Sequence, residues 1–180
     1  MPKKNNPLKF ETRALKSTQN IKSEVHAVSQ PIYLSSTFER NKEGQYREGY
    51  KYSRNDNPNR RALEKSITSL ENGTAGFAFG SGMAAISAVF QSLKMGDHVI
   101  LPDDIYFNIN LLMKEVFSRW GLYYSFVDMS DIEAVSHALI QNTRLIWVES
   151  PSNPLLKITD IQSLSKLAHA HQILIAVDNT

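Results

Sequence analysis

From residue 59 onward, apolar runs of strand length alternate with segments of helical period until the chain ends at Thr180. The runs His98–Pro102, Leu122–Val127, Arg144–Glu149 and Ile173–Val177 are almost wholly apolar rather than alternating. A strand of that composition is covered on both faces. Between them lie helical patterns. Leu63, Ile67 and Leu70 recur at helical spacing and are closed by Asn72-Gly73. Further helices are expected from about Met83 to Lys94, closed by Gly96, and over Phe107–Arg119, Ile132–Ile140 and Ile161–His171. Ala75–Phe79 reads as one more short buried strand. The alternation predicts an α/β fold: a mostly parallel sheet with helices on both faces. In such sheets ligands bind beyond the carboxyl ends of the strands.

Residues 1–58 have a different texture. They are polar, carry Pro2, Pro7, Pro31 and Pro58, and contain a single strand-like run, Pro31–Leu34. They predict an extended N-terminal arm that drapes over its own domain or reaches a neighbouring subunit. Residues 59–180 are then one domain, or the first part of a larger one. At 42% apolar residues the chain has material for a core. A net charge of +2 is too small to argue for nucleic acid, and the pairs Lys3-Lys4 and Arg60-Arg61 are expected to be solvated. With no cysteine, disulfides, thiolate nucleophiles and cysteine-based zinc sites are excluded. His26, His98, His137, His169 and His171 show no metal-ligand spacing, so no metal is expected. No apolar stretch approaches the roughly 18 residues of a membrane helix, and Met1–Pro7 does not lead into a secretory signal. A cytoplasmic protein is the expectation.

Several residues at the expected carboxyl edge carry chemistry. Gly80-Ser81-Gly82-Met83 joins the expected strand to a helix, where glycines admit an anion close to the first free amides. It is either a phosphate seat or an ordinary turn. The same stretch, Gly80-x-Gly82-x-x-Ala85 with Asp103 and Asp104 downstream, also fits a dinucleotide fingerprint and hence a nicotinamide-dependent oxidoreductase. Against that, the fingerprint normally opens its fold, and nothing in it explains Asp178. Tyr106 can stack on a flat ring and exchange a proton, or can simply pack. Asn153, between Pro151 and Pro154, can reach a ring hydroxyl or satisfy its own turn. Asp178 ends the last strand, where a carboxylate needs a cationic partner such as a pyridinium N–H, or serves as a helix cap. Tyr52-Ser53-Arg54 offers a guanidinium for phosphate, or is a surface pair.

Taken in order, these residues resemble the trans-sulfuration family of pyridoxal 5'-phosphate (PLP) enzymes, also called the Cys/Met metabolism enzymes. Gln30–Phe38 is similar to that family's arm, and Tyr52-Ser53-Arg54 with Asn57-Pro58 to its phosphate clasp. Ser81–Ala85, Glu149–Pro154 and Val177–Thr180 match further family motifs. The resemblance implies the large domain of PLP fold type I. It assigns the cofactor phosphate to the Gly82 and Met83 amides. Tyr106 would stack on the pyridine ring and act in proton transfer, Asn153 would contact the ring's hydroxyl side, and Asp178 would pair with the ring nitrogen. Tyr52 and Arg54 would bind the phosphate of the adjacent subunit's cofactor. It implies an amino-acid substrate, with carbon–sulfur cleavage on cystathionine or a related thioether as the reaction, γ-replacement by a synthase or sulfhydrylase as the alternative, and a tetramer built from clasped dimers. A non-catalytic chain that only oligomerises is the remaining reading.

The departures from the family pattern are specific. Leu111 stands where an arginine is often found after the tyrosine loop, and a leucine cannot clamp a distal carboxylate. Asn59 replaces a threonine, and Lys51 precedes the clasp. None of the chain's lysines sits where the resemblance places the Schiff-base lysine, which would follow Thr180 with the C-terminal domain. The 180-residue chain by itself is therefore expected to be inactive and to hold PLP weakly.

Overall fold

The computed structural model describes residues 8–16 and 28–180; Pro2, Pro7, Lys3-Lys4 and His26 lie outside them. The chain divides into two compact units, Met1–Phe79 and Gly80–Thr180.

In the first unit, helix α1 (Phe10–Lys16) is followed by a 3₁₀ turn at Arg47–Gly49 and helix α2 (Pro58–Leu70). Asn57 caps α2 by accepting the Asn59 N–H at 2.8 Å, and Pro58 takes the first position, where no amide is missed. Past the helix end it is Asn72, at φ 52°, that takes the left-handed conformation. Arg13 donates to Ser69 O and Asn72 Oδ1, both at 2.6 Å, and fastens α1 to that end of α2. Three expectations fail here. Pro31–Leu34 forms no ladder, because the Asn59 amide takes up its backbone groups, accepting from Tyr33 N at 2.8 Å and donating to Pro31 O at 2.6 Å. Ala75–Phe79 is neither a paired strand nor buried. The Ala78 N–H goes to the Glu64 carboxylate at 3.0 Å, and Phe77 is 78% exposed. Arg60 and Arg61 are not merely solvated. Arg61 pairs with Asp56 and lies 4.2 Å over the Tyr50 ring, and Arg60 bridges Asp56 and Glu64.

The second unit holds the sheet. Helix α3 (Gly82–Gln91) leads to β1 (His98–Pro102). Helix α4 (Phe107–Leu112), prolonged by a π turn over Met113–Phe117, leads to β2 (Tyr123–Val127). Then come α5 (Ile132–His137), β3 (Thr143–Glu149), α6 (Ile161–Ala170) and β4 (Leu174–Asp178). All pairings are parallel and the strand order is β2-β1-β3-β4. Chain direction across the sheet therefore reverses between β1 and β3, which makes that crevice the topological switch point.

The strands separate two cores by simple alternation. Val99, Leu101, Leu145 and Trp147 point to one face and pack with Ile86 and Phe90 of α3 and with Ile109, Met113 and Phe117. Ile100, Ile146 and Val148 point to the other and pack with Val135 of α5 and Leu164 and Ala168 of α6. Phe90 anchors the first face, fully buried with its ring 5.2 Å from Trp147 and 5.5 Å from Phe117. The two faces carry the expected double cover of helices.

One polar group is built into the opposite, amino edge. His98 is buried, with Nδ1 2.9 Å from Thr143 Oγ1 and Nε2 3.0 Å from Ser125 Oγ, so it ties β1 to β3 and β2 at once. His137, His169 and His171 are exposed. Burial holds the His98 imidazole below its ordinary value of 6.5. Folding thus favours neutral His98, and its contribution is complete above about pH 6.5 and lost as the pH falls below it. The stability of the chain, read as unfolding temperature against pH, should decline on acidification through that range. A His98→Gln variant should show a shallower decline.

Candidate functional site

The same alternation decides what stands at the carboxyl edge. Glu149 lies two residues beyond Trp147, on the α3–α4 side of β3. Asp178 lies two beyond Ala176, which packs on that same core. The two acidic residues are register partners across β3 and β4, and Ser150 N donates to Asp178 O at 3.2 Å. The amino end of α3 opens on this side. Ser81 caps the helix, its hydroxyl accepting the Ala84 N–H at 3.2 Å. The preceding amides of Gly82 and Met83 have no intrahelical acceptor. A Cβ on Gly82 would meet nothing within 4 Å and its φ is not positive, so the unit's own packing makes no demand for glycine there. The space beside the Gly82 and Met83 amides is open to an anion.

Together these elements enclose a cleft of about 680 Å³ lined by Gly82, Met83, Tyr106, Asn153 and Asp178, with Glu149 among the remaining walls. Five of the residues singled out in the sequence therefore converge on one space at the switch point. Tyr52 and Arg54 belong to the other unit. There the Arg54 guanidinium lies 5.0 Å from the Tyr52 ring centroid, and Tyr52 forms a bridge with Thr37.

Tyr106 is the N-terminal boundary residue of α4 and has 37% of its surface exposed. Its backbone N–H points at the Glu149 carboxylate, 3.1 Å from Oε2 and 3.3 Å from Oε1, and its hydroxyl accepts from Asn108 Nδ2 at 2.7 Å. Asn153 has no side-chain hydrogen bond among the described residues. The stiff turn is satisfied by its two serines: Ser150 Oγ accepts the Thr159 N–H, and Ser152 Oγ accepts the Lys157 N–H and donates to Asp104. Asp178 accepts the Thr180 N–H at 3.0 Å through Oδ1.

The dinucleotide reading loses its parts in the same region. Its glycines follow Ala75–Phe79, which forms no sheet strand. Asp103 is held by Lys157 Nζ at 3.0 Å, and Asp104 by Ser152. Lys157 also reaches Asp128 at 3.2 Å, so it staples the loops after β1 and β2 to the proline turn. Hydrogen bonds from Ser130, helped by Lys157, bring the Asp128 carboxyl down to about 2.

Glu149 is the functional candidate that motif reading passed over. It is 5% exposed. Burial pushes its carboxyl above the ordinary value of 4.5. The Tyr106 N–H and the Trp147 indole draw it back, and the carboxylates of Asp178 and Asp104 add to the rise. The buried indole nitrogen of Trp147 makes no hydrogen bond of full geometry among the described residues, so the Tyr106 N–H is the firmer hold on the carboxylate. The signal in the sequence was the parity of Trp147 and Glu149 on one strand face, with a carboxylate at the end of an otherwise apolar run.

A carboxyl whose folded value is raised favours the protonated form, so it lowers stability as the pH rises through its unfolded range. Glu149→Gln keeps an acceptor for Tyr106 and removes the buried charge. The variant should unfold at a higher temperature than the parent at pH 7. The difference should vanish below about pH 4.5, the ordinary value.

Residues 11–180 match the family described as Cys/Met metabolism PLP-dependent enzyme. Cystathionine gamma-lyase of Bacillus subtilis is 49% identical over 154 residues, 86% of this chain and 40% of that protein. Cystathionine gamma-synthase of Mycobacterium leprae is 47% identical over 155 residues, with the same shares. A crystal structure of metB from Corynebacterium glutamicum superposes with a TM-score of 0.91 at 41% identity, covering 97% of this chain and 46% of that one. The chain thus spans about two-fifths of the length of the curated relatives it matches.

Proposed function

This chain belongs to the Cys/Met metabolism PLP-dependent enzymes, and from that premise we propose that it supplies the phosphate seat, ring lid and ring anchor of a trans-sulfuration active site. The observation that carries the reading is the convergence of Gly82, Met83, Tyr106, Asn153 and Asp178 on one cleft. The residues present fit the cofactor. The open cradle at Gly82 suits a phosphate, and the carboxylate of Asp178, which forms no ion pair among the described residues, suits a pyridinium N–H.

PLP, when bound, supplies an electron sink for charge developing at the substrate's Cα. The chain's own contributions are these. The Gly82 and Met83 amides hold the phosphate with the aid of the α3 dipole. Asp178 keeps the ring nitrogen protonated. The Asn153 amide donates to the ring's hydroxyl side. Tyr106 covers one face of the ring, excludes water from it, and moves a proton at its hydroxyl oxygen. Tyr52 and Arg54 serve the phosphate of the adjacent subunit's cofactor, so residues 1–58 act as an arm in a dimer of clasped dimers, and 59–180 as the first part of the PLP-binding domain. Its proposed place of work is the cytoplasm.

The substrate on this reading is an amino acid, and the reaction is carbon–sulfur cleavage of cystathionine or a related thioether. γ-Replacement by a synthase is the second reading, favoured by the synthase among the relatives. No lysine lines the cleft among the described residues, so the Schiff-base lysine is sought outside them. Joined to a segment that brings it to the length of its relatives and supplied with PLP, the protein should consume cystathionine. Release of cysteine and 2-oxobutanoate marks γ-cleavage, and homocysteine and pyruvate mark β-cleavage. Asp178→Ala should lower kcat/KM by roughly a hundredfold or more. Failure of that protein to take up PLP would refute the reading.

A further inference from the structure

We propose that Glu149 is a positioning residue for Tyr106: its buried carboxylate, at the end of β3, grips the backbone N–H of the tyrosine and thereby sets where the aromatic lid stands over the cleft. This rests on the reading of the cleft as a cofactor site.

Three observations carry it. Both carboxylate oxygens address the same amide, at 3.1 and 3.3 Å, across a sequence separation of 43. The amide belongs to the boundary residue of α4, and among the described residues the Glu149 carboxylate is its one hydrogen-bond acceptor. And the carboxylate is 5% exposed beside the register partner Asp178, with no cation paired to it among the described residues. A buried acid in that position is a burden on stability. Its one strong partner is the tyrosine amide. The charges facing it are Asp178 from β4 and Asp104 from the loop after β1, with the Trp147 indole on its own strand. Tyr106 is thus held at its main chain by Glu149 and at its hydroxyl by Asn108, which leaves its ring one preferred station.

Two measurements on the 180-residue chain test this, with circular dichroism to verify that each variant is folded. In proton–nitrogen NMR spectra the Tyr106 amide proton should move downfield as Glu149 ionises, since a carboxylate draws the proton it accepts. That movement should disappear in Glu149→Gln and survive in Asp178→Asn and Asp104→Asn. A Tyr106 amide that titrates unchanged in Glu149→Gln overturns the proposal. The second measurement is calorimetry with pyridoxine 5'-phosphate, which has no aldehyde and cannot condense with surface lysines, and with inorganic phosphate. Glu149→Ala should weaken pyridoxine 5'-phosphate about tenfold and leave inorganic phosphate within about twofold, and Glu149→Gln should restore most of the loss. Equal weakening of both ligands, or no weakening of either, overturns the proposal. The NMR titration decides whether Glu149 positions Tyr106 whether or not the chain binds either compound, and the cofactor reading of the cleft stands or falls separately, on PLP uptake by the longer protein.

Discussion

Each step along a pleated strand reverses the side on which the next side chain emerges, and the site depends on that alternation. In β3, Leu145 and Trp147 enter the core under α3 and α4, while Ile146 and Val148 enter the core under α5 and α6. Glu149 inherits its side from Trp147, and Asp178 inherits the same side from Ala176 on the neighbouring strand. A slip of one residue in β3 would carry Glu149 away from Tyr106 and turn Trp147 toward the core under α5 and α6. Tight packing of both faces makes such a slip prohibitive: Val99, Ile100, Ile146 and Val148 are fully buried. The cores on the two faces therefore hold the chemistry in register, at the crevice where the sheet order reverses.

The walls of the cleft carry both signs of charge. They include the amino end of α3 at Gly82 and Met83, a partial positive charge. They also include Glu149 and Asp178, register partners across β3 and β4. The nearby lysine does not neutralise them, because Lys157 is drawn to Asp103 and Asp128 in the outer loops. The serines of the proline turn satisfy that turn's own backbone, and the Asn153 side chain forms no hydrogen bond among the described residues.

Much of this was legible in the residues. The nearly continuous apolar strands called for a doubly covered parallel sheet, and the positions of Gly82, Tyr106, Asn153 and Asp178 at strand ends called for a shared rim. Two apolar runs misled. Pro31–Leu34 and Ala75–Phe79 have strand composition, yet a strand exists only where a neighbour supplies the other half of the ladder. In these segments amide and carboxylate side chains, from Asn59 and Glu64, bond to the backbone instead. Glu149 went unnoticed as a site residue because its importance lies in a contact with a residue 43 positions earlier, and no local pattern encodes that.

What the amino-acid sequence determined by itself was local and periodic: which segments are helix or strand, which faces are apolar, where caps and turns fall, and which residue types stand at the edges. Hydrophobic spacing and backbone preference act over a few residues, so one chain of letters carries them. Strand order, the pairing of Glu149 with Asp178, the grip of Glu149 on Tyr106 and the meeting of His98 with Ser125 and Thr143 were decided only in the tertiary structure. They depend on which distant segments share a face once both cores close, and that is a property of the whole packed unit.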